Sequence, residues 1–261
     1  MPLEVNDAWF KTRDALHTGL RAVGWVKRLV ARPIPNYLHY AIVPTEYGAS
    51  SGDLPFGGEL VVDYPALSVS YAKPGGGAFD IALSGASEQT ILRNLLEMLA
   101  SQHDQISAAN LPESISDGRL IADEASAVAY LKIQTKMNRV LNQARNKLAG
   151  TKTPVVLWPH GFDLSFLYFL KGQSEDHDPH MNFGFSPGQL KDQPYLYHYA
   201  WPVREELFGL EPPSGGQWQS QWSVPGIKFE LEHIRSMPLD ETVDLLINLS
   251  DTAKPYIKER G

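Results

Sequence analysis

The chain has 261 residues, of which 43% are hydrophobic and 20% are charged, a balance typical of a folded globular protein. It contains no cysteine, which excludes disulfide bonds, thiolate zinc sites and cysteine nucleophiles. Its formal net charge of −7 argues against nucleic acids and anionic membranes as partners, because both are bound through basic surfaces.

The sequence shows neither a membrane-spanning pattern nor the pattern of a secretion signal. Its longest apolar run, residues 166–170, is far shorter than a membrane span. Residues 1–7 are acidic and lack a basic stretch followed by an apolar one. We therefore expect a cytoplasmic protein.

A helix and a group of short strands are predicted for the first part of the chain. Apolar residues recur every three or four positions from Asp7 to Val30, and Asn6 or Asp7 can cap this first helix. Alternation predicts a strand over residues 38–43, with His39 near its start. Three further alternating runs, at residues 59–64, 67–71 and 79–83, favour an antiparallel meander with one solvated face.

Two helices and a second group of strands follow. The helices are predicted at about residues 87–102 and 122–148. Four bases of the longer helix are expected on its solvated face: Lys132, Lys136, Arg139 and Arg145. The second group of strands is predicted at residues 154–158, 162–170, 181–185, 195–200 and 227–232. A last helix is predicted at about residues 238–257.

These elements predict an α+β fold in which antiparallel sheets pack against helices. Strands and helices do not alternate one by one, which disfavours a Rossmann or barrel fold. We expect a single domain over residues 1–261. The order helix, strands, helix occurs twice, which suggests two similar halves, residues 7–105 and 122–258, within one body.

Three residues of the second strand group are candidates for catalysis: His160, Asp163 and His180. Imidazole and carboxylate groups together can transfer protons near neutral pH or bind a divalent metal ion. For a metal site the candidate ligands are His39, His160 and His180. Residues three apart on an unbroken strand point to opposite faces, so His160 and Asp163 would converge only across a bulge. The alternative is that His160 is a buried structural histidine and that Asp163 bonds backbone amides.

Aromatic side chains suggest a ligand pocket in the same part of the chain. Tyr195, Tyr197 and Tyr199 share one face of a predicted strand, and Phe185 lies on the strand before it. Four tryptophans add aromatic surface: Trp158, Trp201, Trp218 and Trp222. Such residues can line a pocket for a planar or apolar ligand. The alternative is that they pack the sheet against the helices.

The chain resembles an uncharacterised bacterial family, a domain of unknown function, over nearly its whole length. Members carry a Trp-His-x-Phe-Asp-Leu run, then a histidine, a Gly-Phe-x-Pro-Gly run and a tyrosine-rich run that ends in proline. The matching segments here are residues 159–164, His180, residues 184–188 and residues 195–202. Two early family elements resemble residues 23–25 and 36–39.

The resemblance implies His39, His160, Asp163 and His180 as the positions that match the family pattern, and it implies no activity. This sequence departs from the pattern at Tyr37, which replaces a histidine, and at Pro159, which replaces the tryptophan. An arginine-rich run after Asp-Leu is also missing.

The residues support three hypotheses about function. The first is a metal-assisted or His/Asp acid–base enzyme that acts on a small molecule, with a divalent metal ion as its candidate cofactor. The second is a non-catalytic module that binds a small ligand in an aromatic-lined pocket. The third is an interaction subunit whose aromatic surface is covered by a partner.

Overall fold

The computed structural model describes residues 2–257 except Gly76, Gln102, Gln105 and Ser114. It separates into two compact units. The first unit holds the described residues up to Thr135 together with Leu157–Phe162, and the second holds Lys136–Val156 and the described residues from Asp163 onward. The division between Thr135 and Lys136 falls inside the helix Glu124–Lys147. The single domain and its two similar halves stay predictions.

The first unit combines helices with a five-stranded antiparallel sheet. Its helices are α1 (Asp7–Val30), α2 (Glu88–Ala100) and the first half of α3 (Glu124–Lys147). Its strands, in their order across the sheet, are β1 (Val43–Thr45), β2 (Gly48–Ser50), β3 (Glu59–Asp63), β4 (Ser68–Ala72) and β5 (Ala78–Ala82). Every neighbouring pair is antiparallel, so the predicted meander is confirmed.

Side-chain caps explain where the helices of the first unit begin. The Asn6 side chain accepts hydrogen bonds from the backbone N–H groups of Ala8 and Trp9 at 3.0 and 3.1 Å. The Ser87 hydroxyl accepts one from Thr90 N at 3.1 Å. These bonds satisfy N–H groups that have no partner inside the helix. The predicted starts of both helices are therefore confirmed.

An aromatic cluster forms much of the core of the first unit. The rings of Trp9 and Tyr130 stack with centroids 4.7 Å apart. The ring of Phe162 packs edge-on against the rings of Tyr130 and Tyr64, with centroid distances of 5.3 and 6.1 Å. Helix α1 packs against β3, β4 and α2, so its buried stripe covers the sheet as the sequence pattern predicted.

The predicted strand over residues 38–43 is wrong for most of its length. Pro35–Tyr37 forms a 3-10 turn, and residues 38–40 continue as turns. Asn36 and Tyr37 both have φ of 55°, a left-handed conformation that a strand does not allow. Alternation alone could not reveal this interruption, and the first strand begins at Val43.

The second unit is built on six strands of an antiparallel sheet, in the order β11-β12-β10-β9-β8-β6. The bounds of these strands and of the short strand β7 are β6 (Thr151–Lys152), β7 (Val156–Trp158), β8 (Asp163–Phe169), β9 (His180–Ser186), β10 (Tyr195–Trp201), β11 (Gly216–Gln219) and β12 (Gly226–Glu230). Two of the three residues of β7, Leu157 and Trp158, belong to the first unit. Helices α4 (Leu231–Arg235) and α5 (Leu239–Ala253) complete the unit. The predicted α+β fold is confirmed.

The bases of α3 do not all point to solvent, which corrects the prediction. Lys132 and Arg139 are exposed. Lys136 instead donates hydrogen bonds to the backbone carbonyls of Ile234, Arg235 and Met237 at 3.2, 3.2 and 2.9 Å. Arg145 likewise donates from Nε to Thr153 O at 2.6 Å. For Lys136 the acceptors lie at and just beyond the end of α4, where helix carbonyls lack internal partners and attract cations.

None of the helices in the described part of the chain is both long and apolar enough to cross a membrane.

Candidate functional site

The candidate site is one face of the second sheet, which we call the tyrosine face. Its aromatic members on β10 are Tyr195, Tyr197, Tyr199 and Trp201. The register places these opposite Ser186, Gly184, Asn182 and His180 on β9. Directly paired residues share a face, and residues two apart on a strand also share one. Ser165 pairs with Gly184, so Ser165 and Asp163 of β8 belong to the same face.

Tyr197 connects the three strands of this face. Its ring lies across Gly184, where an added Cβ would fall 2.2 Å from Tyr197 Cζ. Its hydroxyl donates a hydrogen bond of 2.5 Å to Asp163 Oδ2 and is also bonded to Ser165. Burial, followed by the negative charge of Asp163, raises the pKa of Tyr197 well above its ordinary value. Tyr197 therefore holds its proton and orients the Asp163 carboxylate.

Tyr199 is bonded to an asparagine that is itself buried. Asn182 Nδ2 donates to Tyr199 Oη at 2.9 Å. Only 8% of Asn182 is exposed, and its Oδ1 atom has no hydrogen-bond partner among the described residues. Burial raises the pKa of Tyr199 to about 12. A buried amide oxygen without a partner can accept a hydrogen bond from a bound molecule.

Aromatic rings continue along the face as a ladder. Tyr197 and Tyr199 are nearly parallel, with an interplanar angle of 8° and centroids 6.4 Å apart. Tyr195 lies 6.1 Å from Tyr197 on the other side. Trp222 contacts both Tyr195 and Tyr197, at 5.9 and 6.4 Å. Tyr195, Tyr199 and Trp222 are only half-buried, so parts of the ladder are open to solvent.

His180 lies at the far end of the face from Asp163. It pairs with Phe169, the last residue of β8, whereas Asp163 is the first. Six steps along a strand separate the two positions by about 20 Å. The His180 ring packs against Trp201 at 5.4 Å, and its Nδ1 atom lies 2.9 Å from the Asp178 carbonyl. Burial lowers the pKa of His180, so the ring is neutral and its Nδ1–H donates this bond.

Phe185 does not belong to the predicted pocket. It pairs with Leu196 and Leu164 and therefore lies on the opposite face from Tyr197, Tyr199 and Trp201. That face is buried and mostly apolar, with Met181, Phe183 and Phe185 at 0% exposure and His198 as a buried polar member opposite Phe183. Sequence proximity could not separate the two faces, because the relevant parity is set by the register.

The two other predicted histidines lie in the first unit. His39 follows the 3-10 turn, and its Nδ1 atom accepts a hydrogen bond from Ile34 N at 3.3 Å. His160 is exposed, which corrects the alternative of a buried histidine, and its ring lies 5.9 Å from Trp158. It sits in a tight turn rather than a bulge: Phe162 N donates to Trp158 O, and Phe162 has a positive φ of 59°.

No group of three or more His, Asp or Glu side chains within the described residues is arranged to hold a metal ion. The metal-ligand roles of His39, His160 and His180, and the catalytic roles of His160, Asp163 and His180, stay predictions.

Sequence reasoning missed three members of the site: Ser165, Asn182 and Gly184. Ser165 and Asn182 lie on strands that were predicted, with Asp163 and His180 at the same parity. The parity of each strand was therefore a usable signal for both residues. Gly184 carries no such signal, because its role depends on the ring of Tyr197 lying across it.

Comparisons with known proteins identify a family but no individual relative. Neither a curated protein nor a solved structure matches the chain. A family model described as "Family of unknown function (DUF5996)" matches residues 2–241. The chain therefore belongs to this family of unknown function.

Proposed function

We propose that the protein binds a small molecule on the tyrosine face of its second unit. The proposal rests above all on Asn182, whose Oδ1 atom is buried without a hydrogen-bond partner among the described residues. Leaving such an acceptor unpaired costs about 1–3 kcal/mol. A ligand with a suitable donor would remove this cost, and the half-buried aromatic rings beside it would contact the rest of the ligand.

Binding is favoured over the metal-assisted or acid–base alternatives by the register of the sheet. Asp163 begins β8, and His180 of β9 pairs with Phe169 at the other end of β8, so the two are about 20 Å apart at the rise of a strand. Groups that act on one reacting atom must each reach it within hydrogen-bond distance. An acid–base role for Asp163 alone remains compatible with ligand binding, since Tyr197 orients its carboxylate.

The class of partner follows from charge. The net charge of −7, and the carboxylate of Asp163 on the face itself, disfavour a nucleic acid as the bound molecule. Residence in the cytoplasm, bacterial origin and a role as an interaction subunit stay predictions from the sequence.

The proposal is tested with three probes that share a phenol ring and differ in charge: tyramine, tyrosol and 4-hydroxyphenylacetate. Binding is measured by isothermal titration calorimetry on the full chain and on two variants. Asn182→Ala removes the buried acceptor, and Asn142→Ala is the control, because Asn142 bonds within its own helix to Asn138.

We expect at least one probe to bind and Asn182→Ala to weaken it about tenfold, since one hydrogen bond is worth about 1 kcal/mol or more. Asn142→Ala should leave the affinity unchanged. The proposal fails if no probe binds at concentrations up to about 10 mM, or if both variants weaken binding equally.

A further inference from the structure

The charge around the tyrosine face indicates which kind of ligand it takes. Each of the three tyrosines of β10 lies within the electrostatic reach of at least one carboxylate. Asp163 raises the pKa of Tyr195, Tyr197 and Tyr199, although burial is the larger cause in each case. Asp192 acts in the same direction on Tyr195, and Glu175 acts so on Tyr199. One positively charged side chain lies on the same face: Lys228 of β12 pairs directly with Tyr197. Its charge is matched by Glu230, whose Oε1 atom lies 3.3 Å from Lys228 Nζ.

Two groups of the face are strong hydrogen-bond acceptors. Asp163 presents a carboxylate that Tyr197 holds in place at 2.5 Å. Asn182 directs its only N–H bond to Tyr199 and keeps a buried carbonyl oxygen without a partner in the described structure. A carboxylate and an amide oxygen both bind N–H donors, and a bond between an ammonium group and a carboxylate is about twice as strong as a neutral one.

The aromatic ladder also attracts cations. The faces of tyrosine and tryptophan rings carry negative charge density and attract cations within about 6 Å. Tyr195, Tyr199 and Trp222 are half-buried, so a ligand can approach their rings while it is partly removed from water. Removal from water strengthens both the cation–π contact and the ion pair.

An open cavity of about 420 Å³ lies beside the face. It is lined in part by Gln217, Glu230, Glu232 and His233, and Glu230 pairs directly with Tyr195. The charge of Glu230 is matched by Lys228 at 3.3 Å, so the selecting charge of the face is that of Asp163 and Glu175 rather than that of this cavity.

We infer that the tyrosine face selects an organic cation with N–H donors, a protonated amine or a guanidinium, joined to a planar or apolar group. The inference rests on the proposed function. The carboxylate of Asp163 and the amide oxygen of Asn182 accept the N–H bonds, and the tyrosine and tryptophan rings contact the apolar group. An anion of the same shape is repelled by Asp163 and Glu175.

The inference is tested with the same three phenols, because they differ in charge and share a ring. At pH 7 tyramine is a cation, tyrosol is neutral and 4-hydroxyphenylacetate is an anion. We expect tyramine to bind about tenfold more tightly than tyrosol, and tyrosol more tightly than the anion. If tyrosol or the anion binds at least as tightly as tyramine, the inference is overturned while the proposed function stands.

Two variants locate the charge that selects the cation. Asp163→Asn keeps an oxygen that can accept from Tyr197 but removes the negative charge. It should weaken tyramine about tenfold and change the affinity of tyrosol less than about twofold. Glu175→Gln removes the negative charge near Tyr199 and should have the same effect on the two affinities. This variant replaces Asp163→Asn in the test if Asp163→Asn does not fold. Equal losses for tyramine and tyrosol in the variant measured would overturn the inference. Binding of none of the three probes would overturn the proposed function with it.

Discussion

Tyr197 shows how a single residue organises the tyrosine face. Its ring occupies the space over Gly184, and its hydroxyl reaches Asp163 on the next strand but one. Because the tyrosine is 8% exposed, the bond forms largely out of water. The bond therefore holds the Asp163 carboxylate in one orientation, and it contributes to stability as well as to the proposed site.

Removal of this hydroxyl should destabilise the second unit. In Tyr197→Phe the ring stays but Asp163 loses a donor, and we expect the free energy of unfolding to fall by about 1–3 kcal/mol. Urea unfolding followed by circular dichroism measures the change. Tyr47→Phe is the control, since Tyr47 is 43% exposed and its substitution should have little effect. A loss no greater than that of the control would show that the 2.5 Å bond contributes nothing.

Gly184 is expected to be required because of the close approach of Tyr197. A Cβ at this position would lie 2.2 Å from Tyr197 Cζ and 2.3 Å from its hydroxyl oxygen. We expect Gly184→Ala to displace the ring and to lower the free energy of unfolding by about 1–3 kcal/mol.

The matched control for this change is Gly77→Ala, where a Cβ would meet no atom within 4 Å. In aromatic NMR spectra, Gly184→Ala should shift the Tyr197 resonances and Gly77→Ala should not. Unchanged Tyr197 resonances in Gly184→Ala would contradict the close approach.

Part of the candidate site could be read from the sequence, and the remainder depended on strand pairing. Tyr195, Tyr197 and Tyr199 were predicted to share a face because alternation within one strand is a local property. Phe185 was grouped with them, although the register places it behind the sheet. Asn182 was overlooked because one isolated asparagine gives no indication of burial, yet its unpartnered oxygen carries the proposed function.

At the scale of elements, α3 and α4 are joined through one lysine. Helix α4 is five residues long, too short to be stable from its own hydrogen bonds. Lys136 on α3 binds three carbonyls at and beyond its end, those of Ile234, Arg235 and Met237. The cation therefore satisfies acceptors that the short helix leaves open.

We expect Lys136→Met to lower the free energy of unfolding by about 1–2 kcal/mol, because charge-assisted bonds to three carbonyls are lost. Lys132→Met is the control, one turn earlier on the same helix and exposed. Hydrogen exchange of α4 amides, measured by mass spectrometry, should accelerate in the first variant only. Equal exchange in both variants would mean that Lys136 is as dispensable as a solvated base.

The elements themselves were largely predictable because their signals are local. Helix α1 begins and ends where its periodicity and the Asn6 cap predicted. The predicted strand at 38–43 failed because residues 38–40 form turns, in which Tyr40 N donates to Tyr37 O and Ala41 N donates to Leu38 O. Alternation of residue types does not reveal such turns. Strands β2 and β11 were missed, since they are three and four residues long and owe their structure to their partners.

At the scale of the whole molecule, the two sheets differ in how they are buried. Strand β3 of the first sheet alternates between buried and half-buried residues, as an antiparallel strand with one wetter face does. Strand β9 of the second sheet is buried at all seven positions. Its polar residues His180, Asn182 and Ser186 are therefore inside the protein, where hydrogen bonds and protonation states carry a larger free energy.

Buried neutral histidines in both units should make the protein sensitive to acid. Burial lowers the pKa of His17 in the first unit from 6.5 to about 4, with a further contribution from Arg21. Burial lowers that of His198 in the second unit to about 3. A histidine with a lowered pKa in the folded state stabilises the fold above its unfolded pKa of 6.5. This stability is lost as the pH falls from 6.5 towards 4.

His17→Gln isolates one of these contributions. His17 Nε2 lies 3.0 Å from the carbonyl of Pro159, and a glutamine can donate the same bond without titrating. Between pH 7 and pH 4, wild-type protein should lose about 3 kcal/mol more unfolding free energy than the variant. Urea unfolding at pH 7, 5.5 and 4 measures the difference, with His160→Gln, at an exposed position, as the control. If His17→Gln and His160→Gln lose stability with acid in parallel, the burial of His17 does not govern the acid response.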